Sequence, residues 1–132
     1  MKTTYKNFVI SESFIGDKVS PWDERNYNYH KVTVKNLDNS KKTSFDFWCS
    51  IVKPKFENEN DLLNAFYCFL SDAEAGSYNI DDFQGEFGYK NVSECIRAWK
   101  ACRKSFQKCE RLFDCNDDLI YEMINDLSEI AG

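Results

Sequence analysis

An α+β fold, with a small three-stranded antiparallel sheet in the N-terminal half packed with a three- to four-helix C-terminal half, follows from a change of hydrophobic period along the chain. Up to about residue 51 apolar side chains tend to recur at every second position, the period of a strand with one buried face. From about residue 60 to 131 they recur at steps of three and four, the period of a helix. The length agrees: 132 residues make about one domain, able to bury roughly two-thirds of its unfolded surface without disulfides or metals. The chain therefore reads as a single domain over 1–132, β-rich over about 7–51 and helical over about 60–131. An aromatic content of 16% with only two Pro and five Gly argues for an ordered chain despite 30% charged residues.

The first strand falls within residues 7–15, over Phe8 to Phe14. Lys31 to Lys35 and Thr43 to Cys49 then alternate with period two, and Asp38-Asn39-Ser40-Lys41 between them is turn chemistry, so they predict an antiparallel hairpin. Val32, Val34, Phe45, Phe47 and Cys49 take the buried face, with Thr33, Asp46 and the lysines outward. Between the strands, Val19 to Asn28 reads as an irregular loop carrying Trp22 and Tyr27, with Tyr29 just beyond. Such aromatics bury much area for little lost side-chain entropy, so Trp22, Tyr27 and Tyr29 are candidate contact residues, the alternative being that Trp22 folds back over the sheet.

The helices have their own punctuation. Asn60 and Asp61 offer caps before an apolar run from Leu62 to Ala73, and Gly76 is placed to end that helix in a left-handed cap. A short helix follows over Ile80 to Phe87, stopped by Gly88. The next spans Asn91 to Phe113, opened by a capping-box-like Asn91 and Glu94. Asn116, Asp117 and Asp118 open the last, whose apolar face is Leu119, Ile120, Met123, Leu127 and Ile130. So short a connection predicts that the final two helices form an antiparallel hairpin.

The helix over Asn91 to Phe113 has two opposed stripes. Cys95, Trp99, Cys102, Phe106, Cys109 and Phe113 share an apolar face, while Arg97, Lys100, Lys104, Lys108 and Arg111 occupy the other. With Arg103, six basic residues stand there against one acid, Glu110, in a chain of net charge −5, which leaves −10 for the rest. The basic row has three readings. It could be neutralised by Asp118, Glu122, Asp126 and Glu129 of the last helix, could grip nucleic acid over residues 97–111, or could meet a protein with an acidic groove. A sequence pI near 4.9 opposes the second of these.

Reactive chemistry is weakly signalled. Cys95, Cys102 and Cys109 are about 10 Å apart along one helix, too far for a single tetrahedral ion, and no CxxC pair exists. They read as free thiols packing as small hydrophobes, away from the lone His30. The acid pairs lie at helix starts and loops, and Gln84-Gly85-Glu86 would repel phosphate. No metal, cofactor or catalytic residue is expected, and an enzyme with an unrecognised site is retained as an alternative. Clustered acids, as at Glu57, Glu59 and Asp61, allow a second idea, imitation of a nucleic-acid backbone. Met1 to Lys6 has no signal-peptide run and no stretch nears the roughly 20 apolar residues of a membrane span, so a cytoplasmic protein without a membrane partner is expected.

Asp82-Phe83-Gln84-Gly85-Glu86-Phe87-Gly88-Tyr89, continued by Ser93, Trp99, Ala101 to Ser105 and Arg111-Leu112-Phe113, together with Ser44 to Trp48 and Asp61 to Ala73 upstream, resembles a pattern in small, mostly uncharacterised accessory proteins of tailed phages and prophages. The resemblance covers about residues 28–113. It implies a setting in a bacterial host cell and no particular activity: a non-enzymatic binding protein, such as an anti-CRISPR-like or anti-restriction-like inhibitor of a host defence protein or ribonucleoprotein complex. The alternative is a nucleic-acid-binding accessory protein using the basic helix, and a homodimer is compatible with either.

Overall fold

The computed structural model describes residues 1–20, 23–50 and 56–131. The fold is α+β: a four-stranded antiparallel sheet followed by four helices. The strands are β1 (Lys2–Tyr5), β2 (Phe8–Val19), β3 (Asn26–Asn36) and β4 (Lys42–Ser50). The helices are α1 (Glu59–Ala75), α2 (Ile80–Phe87), α3 (Val92–Leu112) and α4 (Asp117–Ala131). The backbone divides into two compact units, Met1–Phe66 with Glu129–Gly132, and Tyr67–Ser128.

In the first unit the sheet is a meander in the order β1-β2-β3-β4, one strand more than expected. Lys2-Thr3-Thr4-Tyr5 escapes a pattern search because it has no apolar alternation; it is an edge strand whose residues alternate exposed and half-buried. The Lys6-Asn7 turn joins it to β2. Asn7 donates from Nδ2 to Asn36 Oδ1 and to Asp38 Oδ2, both at 2.9 Å, and Leu37 N–H donates to the Asn7 carbonyl at 2.8 Å. These bonds lash the first turn to the β3–β4 turn, where Asp38 N–H and Lys41 N–H are held by Asn36 Oδ1 and Asn39 Oδ1.

The expected loop from Val19 to Asn28 is shorter, because strands take both of its ends. Val19 closes β2 and pairs with Asn26, and Tyr27 and Tyr29 belong to β3. Asn disfavours strands, but cross-strand aromatic packing outweighs that local preference here. Beta2 reaches Val19 by a bulge between Phe14 and Gly16, where Gly16 takes φ +128°, open to glycine and hardly to other residues. Trp22 lies outside the described residues, as does the side chain of Cys49.

Phe8, Ile10, Val32 and Val34 project from the inner sheet face and are fully buried with Leu62, Ala65 and Phe66 of α1. The Phe8 and Phe66 rings meet at 5.7 Å. Each of the large side chains contributes on the order of 2 kcal/mol by leaving water. Phe45 and Phe47 are half-buried on the same face.

The second unit is helical, and its caps are mostly where the sequence places them. Asn91 Oδ1 accepts from Glu94 N–H at 3.1 Å, Asn116 Oδ1 from Leu119 N–H at 3.2 Å, and Gly88 ends α2 with φ +66°. Two assignments change. Helix α1 is capped by Asn58, whose Oδ1 accepts from Asp61 N–H at 3.2 Å while Asp61 Oδ2 accepts from Glu57 and Asn58 N–H. Gly76 is not a left-handed cap; a Cβ there would stand 2.1 Å from the Cys102 carbonyl oxygen of α3. Its value is the close approach of two backbones. On α3, Cys95, Cys109 and Phe113 are buried and Trp99, Cys102 and Phe106 half-buried, as the apolar stripe requires. Phe106 lines a small hollow with Ala73 and Glu74 of α1 and Ile120 and Tyr121 of α4, so three helices meet there. Ile130 and Phe87, expected on apolar faces, are 51% and 49% exposed.

Candidate functional site

Residues directly opposite in an antiparallel pair share a face, so the register assigns the described, paired strand side chains to one side of the sheet or the other. On the outer face Tyr29 stands between Gly16 and Trp48, and Tyr27 stands opposite Lys18. Trp48 meets both tyrosines: its ring is 4.9 Å from Tyr27, edge to face, and 6.3 Å from Tyr29 with only 15° between planes. Lys18 Nζ lies 5.2 Å from the centre of the Tyr29 ring, a cation–π contact. Trp48 keeps 39% of its surface open and the tyrosines are half-buried.

The same face continues into lysines. Lys31 lies opposite Asp46, Lys35 opposite Lys42, and Lys2 opposite Ser11 on the β1 side; all four lysines are exposed. With Lys18 they make five cations, and Asp46 is the one acid among the outward strand positions. Two lysines directly across a ladder repel one another, so the Lys35–Lys42 pairing costs stability in the absence of an anion. At the aromatic end Tyr27 donates its hydroxyl to Asp23. That hydrogen bond holds the Asp23 carboxyl below its usual range and pushes the Tyr27 phenol up.

Of the residues singled out from sequence, Tyr27 and Tyr29 thus share one face of β3 by its alternation, not a loop, and strand pairing brings Trp48 to them. Trp48, Lys18, Lys31, Lys35 and Lys42 were not singled out. The signal for the lysines was the outward phase of the β3 and β4 alternation, but Lys18 and Trp48 join the group only through register, including the shift at the Gly16 bulge.

On α3, Arg97, Lys100, Lys104 and Arg111 are exposed and Lys108 is half-buried. Lys100, Lys104 and Arg111 form no ion pair with Asp118 or Glu122 among the described residues, so that expected neutralisation does not reach them. Arg103 turns inward: Nη1 donates to the Gly76 carbonyl at 3.0 Å and the guanidinium stands 5.3 Å from the Phe106 ring centre.

Two other places hold groups capable of chemistry. On the inner sheet face Glu12 Oε2 lies 2.8 Å from His30 Nδ1 and Oε1 lies 3.3 Å from the Met1 amine. The imidazole is buried between Phe14 and Phe56, with ring centres at 5.4 and 4.5 Å. A carboxylate, not a thiol, faces this histidine. In the helical unit burial pushes the Cys102 thiol up to about 11, helped by Asp72, and pushes Cys109 still higher. Thiols so held stay protonated at neutral pH and are poor nucleophiles. Surrounding protein likewise raises Asp72 to about 6, although an exposed edge lets water moderate the effect. Among the described residues no group of three His, Cys, Asp or Glu side chains converges to hold a metal, and no helix is long and apolar enough to cross a membrane.

No protein-family model, no curated protein and no solved structure matches the chain.

Proposed function

We propose that the protein acts by binding and not by catalysis, and that the outer face of its sheet is the working surface, directed at a polyanion. The observation that supports this most is the joining of an aromatic cluster, exposed Trp48 against half-buried Tyr27 and Tyr29, to a field of lysines in which Lys35 faces Lys42. Like charges placed opposite one another on a ladder are unfavourable alone and become favourable when an anion bridges them. A face of this sign is unsuited to imitating a nucleic-acid backbone and suited to competing for one. The setting retained is that of a phage or mobile-element accessory protein that obstructs a host defence complex.

A second reading places the surface on α3, where Lys100, Lys104 and Arg111 are exposed and unpaired among the described residues. Immobilised heparin, a generic polyanion, separates the two. A protein of net charge −5 is retained only through a local patch. Retention should fall on Lys35→Glu with Lys42→Glu and persist on Lys100→Glu with Lys104→Glu. The converse result would move the function to the helix, and no retention at low salt by the unaltered chain would remove both surfaces.

A further inference from the structure

We infer that the polyanion is single-stranded nucleic acid, with bases stacking at the Tyr29–Trp48 end of the outer sheet face and phosphates crossing Lys31, Lys35 and Lys42; this rests on that face being the binding surface. A generic polyanion site needs only cations. Here the cations continue into aromatic side chains on the same face, and stacking rings beside basic side chains are the combination that recognises unpaired bases strung on a charged backbone.

The dimensions fit. Tyr29 and Lys35 are six residues apart on β3, so rings and last lysine span roughly 20 Å along the strand. That length accommodates about four nucleotides, the lower end of the range for small single-strand binders. Bases stacked inside a duplex present only their edges to such a face, so the rings distinguish unpaired strands from paired ones. Affinity is sequence-tolerant because every base has a π-face; Asp46, within the lysine field opposite Lys31, is an acceptor placed to favour bases with an exocyclic amine.

The test uses the full chain and three fluorescently labelled probes read by anisotropy: a twelve-nucleotide oligo-dT, an abasic strand with the same phosphates, and a twelve-base-pair duplex. The oligo-dT should bind at least tenfold more tightly than the abasic strand or the duplex. Trp48→Ala should weaken oligo-dT roughly five- to hundredfold and leave the abasic strand nearly unchanged, while Trp48→Phe retains most of the affinity. Lys35→Ser with Lys42→Ser should weaken both single strands and lower the salt slope by about 1.4. All these positions are outward-facing, and far-UV circular dichroism verifies each variant's fold.

Equal affinity for oligo-dT and the abasic strand, or indifference to Trp48→Ala, overturns the nucleic-acid assignment. If heparin is still retained through Lys35 and Lys42, the binding face itself survives that failure. Loss of heparin and oligonucleotide together, at low salt, overturns both. Tighter binding of the duplex also overturns the single-strand assignment.

Discussion

Gly76→Ala is the sharpest structural test available. The new methyl would sit 2.1 Å from the Cys102 carbonyl oxygen, 2.4 Å from its carbon and 2.8 Å from Arg103 N, all backbone atoms of α3. None of these can rotate away, so the crossing must open. Overpacking of this kind costs roughly 1–3 kcal/mol. The same opening lengthens the 3.0 Å hydrogen bond from the Arg103 guanidinium to the Gly76 carbonyl, and a hydrogen bond from a charged donor is worth about 1.5–3 kcal/mol. The expected loss is therefore about 3–5 kcal/mol, which at about 4 °C per kcal/mol for a chain of this size lowers Tm by roughly 10–20 °C. Gly85→Ala is the matched control. Nothing lies within 4 Å of a Cβ there, and Gly85 is inside α2, so removing backbone freedom should stabilise by up to about 1 kcal/mol. Thermal and urea unfolding followed at 222 nm read both variants. A Gly76→Ala protein within about 0.5 kcal/mol of the parent would refute the close-approach reasoning.

Three further outcomes are expected. Lys35→Glu converts the repulsive Lys35–Lys42 pair into an attractive one, so it should raise stability by a few tenths to about 1 kcal/mol while weakening heparin retention; a loss in urea-midpoint stability would contradict the register. Under native conditions at pH 8, iodoacetamide should modify the exposed Cys115 well before Cys95, Cys102 or Cys109, and peptide mass mapping showing Cys109 labelled as fast as Cys115 would refute its burial. Because Asp72 is raised above its unfolded value to about 6, the folded state holds this proton more tightly, so the group lowers stability progressively as pH rises from about 4 to 6. Asp72→Asn should accordingly raise Tm at pH 7 and change it little at pH 4, and an equal shift at both pH values would point to another cause.

The legibility of this chain divides by the range of the interaction. Helix α2 and the start of α3 are readable to within a residue because Asn91 and Gly88 bond backbone groups of Glu94 and Gln84, one turn away. The two stripes of α3 are equally local, since 3.6-residue periodicity alone puts Cys95, Cys109 and Phe113 inside and Lys100 and Lys104 outside. The β3–β4 hairpin was also legible, from alternation on both sides of a turn rich in Asp, Asn and Ser. By contrast Lys2 to Tyr5 has no internal pattern and becomes a strand only because β2 offers an open edge. Gly76 looked like a helix stop on type and position, and only the approach of α3 from 26 residues away reveals its use.

Composition, period and short-range capping by themselves determined that this chain makes a sheet and then helices, and which face of each main element is apolar. Tertiary structure alone decided the candidate site. Trp48, Tyr29 and Lys18 lie on three different strands, and their meeting depends on pairing register, which a one-residue bulge at Gly16 shifts. Register is a property of two chains of hydrogen bonds at once, so no single segment of sequence contains it.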